Sequence, residues 1–303
     1  MIFPTLLISA LTLSSALAIP TIQLDRRAGT AGSDAGLSDI TILNYALTLE
    51  HLENAFYSGA LARFSAADFA KAGFADWVRA RFVEIAAHEK THVDFLTTAL
   101  GSNATKACTY NFTYTDPKSF AALSEVLEGV GVSAYSGAAQ FLDNPAFVTA
   151  AASILSTEAR HVAWVASAIN KVQPWSGAFD VPLGLNQVFT LAAGFIVSCP
   201  STNPALPVMA FPALSLTGNV VPGQTVTVKS AGKQAPTHIA FFTGLNKEFV
   251  AVQGGKVKIP SDLSGQVYAV ATTNGTDVSD ATTVAGPAIL QFQHDSKGNL
   301  ITQ

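Results

Sequence analysis

Two motifs occur twice in this chain, in the same order, and they restrict how it can fold. Leu49-Glu50 is followed, after six residues, by Tyr57-Ser58-Gly59-Ala60. Leu127-Glu128 is followed at the same distance by Tyr135-Ser136-Gly137-Ala138. Each copy is then followed by Glu-x-x-His-Val, as Glu89-Lys90-Thr91-His92-Val93 and Glu158-Ala159-Arg160-His161-Val162. The two halves read as a diverged internal repeat. Glu50 and Glu89 are 39 residues apart and Glu128 and Glu158 are 30 apart. The extra residues fall around 61–75, between helices, where added loop length costs little.

Helical spacing gives the repeat a chemical meaning. Residues three apart share a helix face, so Glu89 with His92, and Glu158 with His161, can reach one site. Tyr57 and Tyr135 lie two turns along from Glu50 and Glu128; each reads either as a partner of that glutamate or as a core aromatic. A buried carboxylate is costly unless it is paired or bound to metal. Two single Glu and two Glu-x-x-His form the set by which helix bundles hold a pair of iron or manganese ions. Carboxylate and imidazole without thiolate favour iron or manganese over structural zinc. The expected metal ligands are therefore Glu50, Glu89, His92, Glu128, Glu158 and His161. Glu53 and Glu125 compete for the single-glutamate positions, but the repeat aligns Glu53 with Gly131 and Glu125 with Leu47. Glu84 and His88 read as an exposed pair, and His51 as exposed.

Four long helices are expected, over 38–61, 76–100, 118–141 and 145–171. Caps are expected at Ser38 or Asp39, Asp116-Pro117 and Asn144, with Gly101 as a stop. The connection between the second and third helices is long, which suits a bundle with a crossover rather than a simple up-down array. A further apolar segment, 185–197, is expected to pack on the bundle. Beyond residue 206 the pattern changes to short strands. Thr225 to Lys229 and Lys256 to Ile259 alternate, and 266–273 is rich in strand formers. Gly254-Gly255 and Asn274-Gly275 signal hairpin turns. Residues 206–303 therefore suggest a small all-β, sandwich-like domain.

The doubled motif resembles the ferritin-like superfamily, over residues 33–199. More narrowly, it is similar to the secreted fungal branch of desiccation- and stress-related ferritin-like proteins, of the Rds1 type. The resemblance implies an all-α ferritin-like four-helix bundle holding two iron or manganese ions. Glu50 and Glu128 would be terminal ligands, Glu89 and Glu158 would bridge, and His92 and His161 would each complete one ion's shell. Tyr57 and Tyr135 would donate hydrogen bonds to ligand carboxylates. Two functions stay open. One is oxidative or peroxide chemistry in a stress response. The other is a non-enzymatic secreted or cell-surface protein with a structural or vestigial metal site, whose β domain meets a cell-wall polymer or protein partner. Iron storage fits less well, because an appended β domain and glycans would hinder a closed cage.

Secretion is read from several weak signals. Residues 1–18 form an apolar run ending in Ala16-Leu17-Ala18, the pattern of a signal peptide; the run is short for a membrane anchor. Residues 19–27 read either as a pro-segment processed at Arg26-Arg27 or as chain with two exposed arginines. The two cysteines, Cys108 and Cys199, are expected to pair, closing a loop of about 90 residues worth roughly 4 kcal/mol; the alternative is two buried thiols. Asn103, Asn111 and Asn274 head glycosylation sequons. The chain is 49% hydrophobic and 13% charged, with formal charge −4. It has no basic run, so a nucleic-acid partner is not expected, and no later segment reaches transmembrane length. An extracellular or cell-wall location is the resulting expectation.

Overall fold

The computed structural model describes residues 37–301. The apolar run 1–18 and the segment 19–27 lie outside the described residues. The helical half begins with α1 (Asp39–Arg63), where Ser38 accepts a hydrogen bond from the Thr41 amide. The expected loop over 61–75 contains a short helix, α2 (Ala66–Lys71), started by a Ser65–Asp68 capping box. Its one buried side chain is Phe69, and drawing that ring into the core gives so short a helix its stability. Next come α3 (Asp76–Leu100), which stops at Gly101 with φ +56°, and α4 (Pro117–Ala138). Asp116 caps α4 by accepting from the Lys118 and Ser119 amides, and Pro117 occupies a first-turn position where no N–H is needed. Asn144 caps α5 (Pro145–Trp164).

The fourth helix departs from regular α geometry before Lys171. Residues Val165–Asn170 form a π turn, which ends where Lys171 adopts φ +62°. In this turn Val165, Ala166 and Ile169 stay buried, and the Asn170 amide reaches Glu125. The segment 185–197 is helical only over α6 (Leu185–Ala193). It then extends as β2 (Ile196–Ser198), antiparallel to β1 (Thr109–Tyr110) in the long crossover. The Cys108–Cys199 disulfide flanks this small ladder, as expected. α1 packs on α3, α4 packs on α5, and α1 also meets α4, so the four long helices form one bundle. Among the described residues, no helix is long and apolar enough to cross a membrane.

The remaining strands are β3 (Leu214–Thr217), β4 (Thr225–Ser230), β5 (His238–Thr243), β6 (Asn246–Ala251), β7 (Lys256–Lys258), β8 (Gly265–Thr272) and β9 (Thr283–Phe292). They form two antiparallel sheets, ordered β3-β4-β7 and β6-β5-β8-β9. Val226 and Val257 from the first sheet and Ile239, Phe241, Val267 and Ala269 from the second share one core, which makes the arrangement sandwich-like. The second sheet also buries its other face. Ala240, Phe242, Tyr268 and Val270 pack against Ile42, Tyr45, Val130 and Ala134 of the bundle. This is why β8 is rich in strand formers yet lacks a polar face. Gly254 and Gly255, both at positive φ, make the expected tight turn. Asn274-Gly275 does not form a two-residue hairpin. It begins a longer connection from β8 to β9, and the Asn274 side chain accepts from the Thr276 amide and hydroxyl.

The repeated Tyr-Ser-Gly-Ala places a glycine where each helix meets another backbone or ring. A Cβ on Gly137 would lie 1.8 Å from the Leu183 carbonyl oxygen, whereas one on Gly59 would lie 3.1 Å from the Tyr114 hydroxyl. A main-chain carbonyl cannot yield as a side-chain tip can. Denaturant melts should therefore show Gly137→Ala losing about 3 kcal/mol or more, with Gly59→Ala near neutral. The disulfide closes a separation of 91 residues. Replacing both cysteines by alanine should lower unfolding free energy by about 4 kcal/mol in the same assay.

Candidate metal centre

Burial is the first observation at the site. Glu50, Glu89, Glu128 and Glu158 have no solvent exposure, and His161 is 5% exposed. Each helix of the bundle core supplies its own share: Glu50 from α1, Glu89 and His92 from α3, Glu128 from α4, Glu158 and His161 from α5. The six expected side chains converge as two overlapping groups. Glu50, Glu89, His92 and Glu158 form one, and Glu89, Glu128, Glu158 and His161 form the other, each with donor atoms within 4.8 Å of one another. Glu89 and Glu158 belong to both.

The finer geometry follows the same division. His92 Nδ1 lies 3.2 Å from Glu50 Oε2, 3.3 Å from Glu89 Oε2 and 3.3 Å from Glu158 Oε1. His161 Nδ1 lies 3.1 Å from Glu128 Oε2 and 3.2 Å from Glu89 Oε1. Glu89 thus turns one oxygen to each histidine. The tyrosines cross between the halves of the repeat: Tyr57 donates to Glu128, and Tyr135 donates to Glu50. Tyr57 is also a core aromatic, packed edge-on against Phe56 and Phe120. Both readings of this residue therefore hold, since its neighbours fix the ring that presents the hydroxyl.

Three of the four oxygens on Glu89 and Glu158 make no well-formed hydrogen bond among the described residues: Glu89 Oε1 has only His161 Nδ1 at 3.2 Å, Glu158 Oε1 only His92 Nδ1 at 3.3 Å, and Glu158 Oε2 none. Buried carboxylate oxygens are rarely left so. No lysine or arginine among the described residues forms an ion pair with any of the four glutamates. Four carboxylates carry four negative charges, which two divalent cations would balance with both imidazoles neutral. The donor set therefore fits a pair of oxygen- and nitrogen-liking cations.

Without cations, protons must do this work. Burial, reinforced by the neighbouring carboxylates, pushes Glu50 up to about 8 and Glu128 and Glu158 well above the ordinary carboxyl range. Burial opposes charge on His92, but the facing carboxylates of Glu158, Glu50 and Glu89 outweigh it and raise His92 to about 12. Burial would also raise Glu89, yet the imidazoles of His161 and His92 facing its two oxygens hold it down to about 2.

The rejected glutamates are placed informatively. Glu125 turns away from the cluster and accepts from Asn170 and from Gln293. Glu53 is 5% exposed and sits beside the cluster, outside both ligand groups. Its repeat mate explains the space: a Cβ on Gly131 would lie 3.0 Å from both Glu53 Oε1 and Glu158 Oε2. His88 is exposed, as expected, but its Nδ1 lies 3.0 Å from His161 Nε2 and its ring stacks on His161. Sequence reasoning missed this contact. The repeat mate of His88 is Thr157, so no duplicated signal marks it. His51 is half-buried rather than exposed, with Nε2 3.1 Å from the Thr105 carbonyl oxygen. Of the sequon residues, Asn103 and Asn111 are exposed and Asn274 is half-buried.

Residues 38–171 match the ferritin-like domain family. The chain is also 27% identical, over 248 residues, to Protein rds1 of Schizosaccharomyces pombe. That alignment covers 78% of this chain and 61% of the relative's length, so the chain spans about three fifths of the curated relative it matches.

The protonation pattern gives a measurable consequence for the metal-free protein. A carboxyl raised above its ordinary 4.5 binds protons more tightly in the folded state, so its contribution to stability falls as pH rises through the folded value. The His92 contribution is full below 6.5 and is lost as pH rises toward about 12. Glu89, held low, contributes in the opposite sense, but only below about 4.5. Between about pH 5 and about pH 8 these slopes share one sign. Calorimetry of chelator-treated protein should show Tm falling across that range, and adding back iron or manganese should abolish the fall.

Proposed function

Because residues 38–171 carry a ferritin-like domain, we propose that this chain is a secreted di-metal carboxylate protein that performs oxidative or peroxide chemistry at a pair of iron or manganese ions. One observation carries the reading. Two candidate ligand groups share Glu89 and Glu158, and three of the four oxygens on that shared pair make no well-formed hydrogen bond. Glu50 with His92 would complete one ion's shell, and Glu128 with His161 the other. Such a metal pair, each ion changing by one electron, would supply two-electron redox chemistry toward dioxygen or peroxide when bound.

The chain's own residues do the positioning. Tyr135 and Tyr57 hold the outer carboxylates, Glu50 and Glu128, by donating to one oxygen of each and leaving the other for an ion. His88 meets His161 at the nitrogen opposite the cluster, fixing the ring so that Nδ1 faces the carboxylates. The aromatic packing around Tyr57, from Phe56, Phe82 and Phe120, keeps bulk water from that end of the site. Secretion is supported by the Cys108–Cys199 disulfide, which suits an oxidising compartment.

Elemental analysis of the purified full chain tests the metal reading. Wild type should carry about two iron or manganese ions per chain. Glu89→Ala/Glu158→Ala, which removes both shared carboxylates, should carry almost none. Equal and negligible metal in the two proteins would overturn the reading.

A further inference from the structure

Beside the carboxylate cluster lies a cavity of about 290 Å³. α1 and α4 form its walls with aliphatic side chains, Leu52 and Val130 among them, and Ala192, Phe195 and Ile289 cover it from α6, the turn after it and β9. Gly194, at the rim, is exposed. Among the described residues, Glu53 is the only ionisable one lining the cavity, and no lysine or arginine lines it. No hydrogen bond reaches the Glu53 carboxyl from another described residue. Gly131 also lines this cavity, and its missing side chain is what lets Glu53 and Glu158 lie so close together. Gly131 and Glu53 thus border both the cavity and Glu158, whose Oε2 makes no hydrogen bond.

We propose that this cavity binds a small neutral molecule with an apolar body and a single hydroxyl, the body against the aliphatic walls and the hydroxyl donating to Glu53. An apolar cavity of about 150 Å³ holds benzene and stays dry without it. A cavity of 290 Å³ thus suits a body of about ten to twelve heavy atoms, such as a two-ring phenol. An anionic ligand is disfavoured twice, by the lack of a cationic partner and by the carboxylates behind Gly131. That the bound hydroxyl is presented to metal ions rests on the di-metal reading above; binding in the cavity does not.

Fluorescence titration with 1-naphthol, on the full chain in metal-loaded and chelator-treated forms, tests the proposal. Wild type should bind 1-naphthol, and 1-naphthoate should bind about tenfold or more weakly. Ala192→Phe and Ile289→Trp each fill the cavity from its cover, away from the cluster. Each should weaken 1-naphthol by about tenfold or more while metal content stays at the wild-type level. Two variants on different elements guard against one failing to fold, which a melting curve would reveal. The proposal is overturned if wild type fails to bind 1-naphthol, if 1-naphthoate binds as tightly, or if a folded filled variant binds 1-naphthol as wild type does. Metal-free protein that binds 1-naphthol and loses it on filling would sustain the cavity even if the di-metal reading fell. Two bound metals with no 1-naphthol binding would do the reverse.

Discussion

Four carboxylates buried in one bundle core, faced by two imidazoles and two phenols, are the constraint on which this structure depends. Left ionised and unmatched, they would push the helices apart. Each part of the surroundings reduces that cost. Histidines lie between pairs of carboxylates, tyrosines cross from one half of the repeat to the other half's glutamate, and protons or cations must supply the remaining charge. The crossing hydrogen bonds tie α1 to α4, so the charge cluster also fixes how the two halves of the duplication meet.

The β domain helps to hold that meeting in place. The sheet β6-β5-β8-β9 buries one face in its own sandwich and the other on α1 and α4. Tyr268 reaches into the bundle, its hydroxyl 2.8 Å from that of Ser133 and donating to the Gly129 carbonyl. Cut from the bundle, the sheet would expose Phe242, Tyr268 and Val270, which are buried in the whole chain. The second half of the chain thus serves as a wall of the first, and Ile289 of β9 lines the cavity beside the cluster.

Legibility in the sequence followed duplication. The repeat distinguished Glu50 from Glu53 and Glu128 from Glu125, and the structure gathers the first of each pair into the two ligand groups. Around the site, features lacking a repeat mate were not legible. His88 has Thr157 opposite it, and the Thr157 hydroxyl bonds to the Ser153 carbonyl of its own helix. α2 sits in the insertion that makes one half longer, and depends on a single buried ring, Phe69. β8 could not be read as a half-buried strand, because covering both faces erases alternation. Asn274-Gly275 looked like a hairpin, but the asparagine bonds to Thr276 and the connection runs on.

The departures from symmetry matter most beside the cluster. A perfect repeat would give Gly131 a glutamate, or Glu53 a glycine, and the two sides of the site would be alike. Instead α1 contributes a fifth buried carboxyl and α4 contributes the missing Cβ that accommodates it. Burial and the four neighbouring carboxylates push Glu53 well above the ordinary range, a cost the bundle carries although Glu53 belongs to neither ligand group. An extra buried acid beside an already acidic core destabilises the fold and does nothing for symmetry. Its position between the cluster and an otherwise aliphatic cavity gives that side of the site a polarity the opposite side lacks. The symmetric part of the duplication thus accounts for the buried carboxylate–imidazole cluster, and the asymmetric part accounts for the acid that lies between it and the aliphatic cavity.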